Sequence, residues 1–566
     1  MDYQRIIILL GLAVTSYLLI LAWNEDYKQG ALKESVSEQV SQSDPGSSAG
    51  IDEIDLNLVS DEPGPDIVPT IDPAETSEMV SVPVIQSVSD PNNIITVSTD
   101  VFEIQISKLG GDIVQGALPK FPASLESLDI PFLLVDPANT YTAQSGLIGK
   151  NGTDTSSGRP VFVSQKSHYE MGESDELILD LTLPEENGVR ITKRYIFKRS
   201  DYLITLEYII NNQSSEIWQA SLFAQIKRDS GDPVMSDTSG MGMQPFTGGA
   251  TFNSDSPYTK LAFDDIEEES YKAKVEGGYM AMVQHYFVTA WVPMDQQTYT
   301  YQARKLRNQD VYLYGFTGPA WQVKAGQLDS LTAGFYMGPK DQYRLEEISP
   351  GLSLTVDYGF LWWLAQPLFD LLTFIHTYVN NWGLSIILLT IIVKSLLYPL
   401  SAASFKSMAK MRKLQPEMAR LKDRYGDDKQ QFSQAMMDLY KKEGANPLGG
   451  CLPMLLQMPV FLALYWSLME SVELRQAPFI LWIHDLSAMD PYFVLPILMG
   501  LSMFATQMMQ PEPPDPVQAK VFKMMPIMFT FFFLWFPSGL VLYWLINNLL
   551  SILQQWYVTR QLDKKT

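Results

Sequence analysis

The sequence predicts a membrane α-helical bundle, one N-terminal anchor plus a five-helix core, carrying a large extracytoplasmic antiparallel β-sandwich. Three observations predict it. Long apolar stretches crowd the last third of the chain. Period-two alternation dominates residues 93 to about 340. The net charge of −23 is unevenly spread: residues 358–566 hold 17 Lys and Arg against 14 Asp and Glu, and residues 1–357 hold 24 against 50. A soluble acidic part therefore precedes a weakly basic membrane part. Phosphate binding needs clustered Lys and Arg, so nucleic acid is excluded as a direct partner.

The bundle is organised around residues 382–400, WGLSIILLTIIVKSLLYPL, 19 nearly all apolar residues that include Lys394. As a helix this stretch covers roughly 28 Å, about the hydrocarbon thickness of a bilayer. A lysine at the centre of a span costs roughly 2.5–3.5 kcal/mol, so something must offset it. Lys394 is expected roughly 9 Å from the cytoplasmic end. Its helical neighbours at i−4 and i+4 are Thr390 and Tyr398, which would put three polar groups on one face. That face is expected to look into a wet groove; a lysine snorkelling to the interface is the alternative.

Taken in order, residues 6–23 form an apolar run of 18 residues, long for a signal peptide and without a small-x-small site before Asn24. Residues 1–23 are expected to be an uncleaved transmembrane signal anchor. Residues 24–92 hold 15 acidic and 2 basic residues, with many Ser and Pro. Self-repulsion and low hydrophobicity predict a disordered linker. Residues 93–350 are expected to form the sandwich. VFEIQIS (101–107), ELILDLTL (176–183), RITKRYIF (190–197) and YLITLEYII (202–210) alternate as strands, and KRSD joins the last two as a hairpin. Further strands are expected over 279–292 and 311–316, and a short closing helix over 343–348. The only histidines here, His168 and His285, have no catalytic spacing, which argues against an enzyme.

Residues 358–380 are aromatic and amphipathic with Pro367 inside, and are expected to lie at the outer membrane interface. The insertion into lipid at 382 opens a core expected over 381–560. The polar segment 401–446 holds ten Lys and Arg against six acids and is cytoplasmic by the positive-inside rule. It reads as a helical hairpin with a turn near 425–427 and a kink or restart at Pro416. Lys406, Lys410, Arg412, Lys413, Asp427 and Asp428 mark it as a docking arm for a ribosome, a targeting factor or a nascent segment. A solvated loop whose lysines only fix topology is the equal alternative.

Four more spans are expected over 448–470, 492–509, 520–536 and 540–557, the last two joined by Pro537-Ser538-Gly539. Both termini then lie in the cytoplasm. Several spans are short, which implies a locally thinned bilayer. Gln457, Gln507, Asn547 and Asn548 punctuate them as groove lining or interhelical glue. Sixteen of the 26 methionines fall between 405 and 530, which suits a surface that accepts varied apolar partners, although gap-filling is the commoner role. A single cysteine, Cys451, excludes an intrachain disulfide and a Cys-based metal site, and no cofactor is expected.

SMAKMRKLQPEM, GDDKQ, NPLGGCLPMLLQMPVFLALYWSLMESVELRQAPFILWIHDLSAMDPYFVLPILMG and FFFLWFPSGLVLYW closely resemble the YidC/Oxa/Alb membrane protein insertase family in its Gram-negative form. The resemblance is dense over 358–560. It implies an inner-membrane insertase and chaperone for nascent integral membrane proteins, working alone or with the Sec translocon. It also implies a hydrophilic groove open to cytoplasm and lipid and closed on the far side. Lys394 matches the family's groove cation, where relatives often carry arginine; lysine keeps the charge without the planar fork. Tyr543-Trp544 matches a substrate-contacting tyrosine pair on the last helix. The β domain resembles sugar-binding folds, with no chemistry implied. A transporter with Lys394 as its ion site, and a sugar-binding module on a mere anchor, are the rival readings.

Overall fold

The structure, a computed structural model, describes residues 93–155, 158–233, 245–253, 256–425, 428–443, 452–510 and 516–563. The chain divides into two units, Met1–Asp55 and Leu56–Thr566. The first unit, and with it the expected anchor, lies outside the described residues, as does the linker to residue 92.

The period-two segments fold into an eleven-stranded and a nine-stranded sheet. Pairing is antiparallel except where Ile94–Ser98 runs parallel to His168–Glu170. The hairpin read at KRSD is present: Val189–Lys198 pairs with Leu203–Asn212, with Thr205 opposite Ile196. Ser200 takes φ 56° in the turn. In Leu203–Asn212 every second residue is buried, so one face of the strand lies in the core and the other is left half-covered. The stretch 279–292 is two strands, Met280–Val283 and Phe287–Pro293, paired with each other. Inward side chains such as Trp291, Tyr208, Leu206 and Phe335 fill the core between the sheets.

Eleven helices follow the described chain: α1 Phe263–Glu268, α2 Gln342–Ile348, α3 Trp362–Val379, α4 Trp382–Leu396, α5 Tyr398–Lys413, α6 Gln415–Tyr425, α7 Lys429–Glu443, α8 Leu452–Glu470, α9 Val494–Met508, α10 Pro516–Phe532 and α11 Ser538–Asp563. Asp341 caps α2 by accepting from Tyr343 N and Arg344 N. Pro367 sits inside α3 without breaking it. Ala365, Leu368, Phe369, Leu372 and Ile375 make its buried stripe, at helical spacing, while Trp362, Trp363, Phe374 and Tyr378 stay exposed. The stripe packs on α4 and α8.

Residues 382–400, expected as one straight helix, are broken at Leu397, and α4 and α5 meet at a 68° bend. Pro399 is the cause. It has no N–H to offer the Ser395 carbonyl, and its ring would clash there. Instead it sits in the first turn of α5, where the missing donor does no harm. Leu414 likewise separates α5 from α6, and Pro416 restarts the chain in the first turn of α6. Phe405, Met408 and Met411 of α5, Tyr440 of α7 and Val558 of α11 form a small cluster at the base of the hairpin.

Among the described residues one helical stretch, Val517–Trp535, is long and apolar enough by itself to cross a membrane; the bent pair α4–α5 passes the same test together, and α9 is a shorter apolar helix. Large apolar side chains nonetheless face outward: Ile497, Leu501 and Phe504 on α9, Ile527 and Phe531 on α10, Leu553 on α11. An outward apolar surface on several packed helices suits lipid, not water.

The β domain is tied to the bundle. Lys340, at the end of Gln327–Pro339, pairs with Glu470 at the end of α8 and also donates to Thr355 O at 3.2 Å. His285 Nε2 lies 2.8 Å from Met469 O. Arg475 donates to Pro122 O at 2.8 Å and Ala123 O at 3.2 Å.

Candidate functional site

Lys394 leaves α4 toward the bundle interior and is 7% exposed. Asn381 sets the start of that helix. Its Oδ1 accepts from Leu384 N at 2.9 Å, and its Nδ2 donates to Phe479 O at 3.1 Å. Gly383 then lets α4 approach closely, because a Cβ there would run into the Phe479 ring. The Lys394 ammonium donates to Gln457 Oε1 of α8 at 3.4 Å. Gln457 Nε2 in turn donates to the Tyr543 hydroxyl of α11. Three helices therefore converge on one polar chain, Lys394–Gln457–Tyr543. No carboxylate pairs with Lys394 among the described residues. A buried cation held only by neutral groups keeps most of its field unspent.

The other expected groove residues are placed differently. The Thr390 hydroxyl donates to Ile386 O of its own helix at 2.6 Å. Tyr398 falls beyond the bend, as the first residue of α5, so the expected three-residue face with Thr390 and Lys394 does not form. Gln507 donates to Phe522 O and joins α9 to α10. Trp544 points to the neighbouring side of α11 and packs edge-on to Phe461, 4.4 Å between ring centres. Asn548 bonds Ser502 of α9 at 3.0 Å, an interhelical tie.

Sequence reasoning missed Gln554 and Gln555. Gln554 Nε2 donates to the backbone carbonyl of Lys394 at 3.4 Å, and Gln555 Nε2 to Met509 O at 3.1 Å. The amide oxygens of Asn547, Gln554 and Gln555 are buried with no hydrogen-bond partner. Tyr543, Asn547, Ser551 and Gln554 recur at steps of 4, 4 and 3 along α11, the spacing of one helix face. That spacing is the signal that would have found Gln554. Buried amide oxygens without partners are rare and costly, and they ask for water or a passing polar segment.

The end of the bundle away from the α5–α7 arm is held by backbone hydrogen bonds. Ser538 N donates to Ala488 O at 2.7 Å and Gly539 N to Leu486 O at 2.9 Å, pinning the α10–α11 turn under the 471–491 loop. On the opposite side, Lys406, Lys410, Arg412 and Lys413 are exposed along α5. Asp428 Oδ1 accepts from Gln430 N at 2.9 Å and Gln431 N at 3.0 Å, the cap of α7. Asp427 lies outside the described residues.

Comparison with known proteins follows the same division. The 60Kd inner membrane protein family matches residues 374–565, and the YidC periplasmic domain family matches residues 94–371. The membrane protein insertase YidC of Ectopseudomonas mendocina is 51% identical over 100% of this chain and 99% of its own length. That of Pseudomonas putida (strain W619) is 50% identical over the same shares. A crystal structure titled as an active YidC insertase with the first transmembrane domain resolved is 18% identical, with a TM-score of 0.38 over 82% of this chain and 92% of that one. At half identity across its whole length, the chain belongs to the YidC family of inner-membrane protein insertases, with the periplasmic domain of that family.

Proposed function

We propose that the chain inserts integral membrane proteins into the bacterial inner membrane past the polar chain at Lys394, and that no covalent chemistry is involved. The carrying observation is a buried ammonium bonded to an amide that a phenol holds in turn, with no counter-ion among the described residues. A short hydrophilic flank of a nascent protein enters from the cytoplasm. Lys394, Gln457, Tyr543 and the free amide oxygens of α11 exchange with its water one contact at a time. An acidic flank gains Coulomb attraction, which is stronger at low dielectric than in water. The attached apolar segment leaves sideways into lipid, and its burial drives the step.

The topology that fits this path has both termini in the cytoplasm, the α5–α7 arm on the cytoplasmic side and the 471–491 loop outside. The exposed basic row of α5 suits a ribosome or targeting factor, and the Sec translocon is the expected partner for larger clients. The test is purified protein in liposomes, given a single-span substrate and scored by protease protection. Lys394→Leu is expected to slow substrates with acidic tails most and neutral-tailed ones least. Equal, wild-type rates for both would remove the role of the charge. Ion flux carried by the wild-type protein, without substrate, would favour a transporter instead.

A further inference from the structure

The hairpin of Ile113–Ser124 and Ser127–Val135 runs past the edge of the sandwich, with Ser124 opposite Ser127 at its tip. The tip is apolar and uncovered: Leu125 is 41% exposed, Leu128 64% and Ile130 52%. Leu128, Asp129 and Ile130 are exposed in succession, and the pairing shifts register between Pro131 and Ser127, so the tip does not alternate. Phe132 stacks on Phe287 at 4.3 Å and lies under the Arg475 guanidinium at 5.3 Å. The hairpin thus meets the 471–491 loop two residues from Ile130. The loop grips the hairpin just short of its tip, through the bonds of Arg475 to Pro122 O and Ala123 O and of Gln476 Nε2 to Pro122 O at 3.2 Å. Leu125 is three residues beyond Pro122, within roughly 10 Å of chain.

That loop joins α8 to α9; α9 exposes Ile497 at 51% and Leu498 at 44%, and the loop itself exposes Ile480 at 56% and Leu481 at 73%. The tip also exposes Asp129 between Leu128 and Ile130, and Glu126 in the turn. We propose that the 113–135 hairpin is a lipid-contacting foot: its tip rests in the outer surface of the bilayer and steadies the periplasmic domain over the groove. The occupant is lipid because the tip lies beside a loop that exposes Ile480 and Leu481 and leads into the outward apolar side of α9. This rests on the topology above, in which the 471–491 loop lies outside.

The experiment uses the full chain with its single cysteine removed by Cys451→Ser, and one new cysteine carrying an environment-sensitive fluorophore. Three positions are compared in phosphatidylethanolamine–phosphatidylglycerol liposomes containing lipids brominated near the headgroup end of the acyl chains: Leu128→Cys, Leu481→Cys in the loop and Leu328→Cys. Leu328 is 66% exposed but lies at the far end of Gln327–Pro339 from Lys340, roughly 40 Å of strand away from the bundle. Expected is loss of emission at Leu128→Cys and Leu481→Cys and none at Leu328→Cys. Quenching at Leu481→Cys alone overturns the foot and leaves the topology standing. No quenching at either overturns both. A Leu128→Cys label shielded only on adding a translocon or substrate would assign the patch to protein and overturn the lipid proposal.

Discussion

Two buried lysines, one in each half of the molecule, are held in opposite ways. Lys193 of the sandwich is 0% exposed. It donates to Gly110 O at 2.8 Å and Ser145 O at 3.2 Å, with Asp112 at 3.9 Å. Around it Arg159 pairs with Asp112 and, at 2.8 Å, with Asp154, so two cations meet two carboxylates. Burial still pulls the Lys193 ammonium down to about 7, against the pull of Asp112. Lys394 has no such company. A charge that is fully compensated inside a protein is committed to structure; one left with neutral donors and acceptors remains available to a visitor. The difference teaches where each domain does its work.

The sharpest way to break the contrast is to orphan a charge in the sandwich. Asp112→Asn leaves Arg159 and Lys193 under-compensated and is expected to destabilise the periplasmic domain by roughly 3–5 kcal/mol, read by thermal unfolding of the full chain. Insertion at low temperature should stay near wild type. A smaller effect is expected at the tie between the halves. Glu470→Gln leaves Lys340 buried without its carboxylate and should cost about 2–3 kcal/mol. If it unfolds the chain no sooner than wild type, the pair contributes little.

Lys394→Leu sharpens the contrast from the other side. Removing an uncompensated charge should leave unfolding unchanged or delayed, while insertion of acidic-tailed clients falls about tenfold, equivalent to ~1.4 kcal/mol. A loss of stability equal to that of Asp112→Asn would make the two lysines alike. A pH-dependent effect is expected at His285, as acid weakening. Burial, and then the charge of Lys340, push its pKa from 6.5 down to about 3. The folded state therefore holds it neutral while the unfolded state takes up a proton below pH 6.5. Its contribution is whole above that pH and is lost as pH falls, by up to ~1.4 kcal/mol per unit. His285→Gln should flatten that slope between pH 6 and 4.5; an unchanged slope would place the acid sensitivity elsewhere.

The strand pattern and the polar interruptions were legible because burial imposes a period on the sequence: alternate residues of 203–212 show it for the strands, and Lys394 stands out by cost alone. The partners of Lys394 were legible only in part. Gln457 was picked out as a polar residue in an apolar run and Tyr543 by the family resemblance, yet nothing local says that they meet. Thr390 has the right spacing and still bonds its own helix. Tyr398 was misplaced because the chemistry of Pro399 was read as part of a span and not as its end. The foot of the hairpin was invisible, since its exposed leucines look like any alternating strand.

By itself the sequence determined the family, the two-part architecture and the presence of a cation in an apolar span, because composition, periodicity and motif spacing are properties of the chain alone. The tertiary structure decided which polar groups share that cation, where the first core helix turns, and which strand tip leans over the loop at Arg475. Those choices depend on contacts between segments 60 to more than 350 residues apart, and short-range spacing holds no information about them.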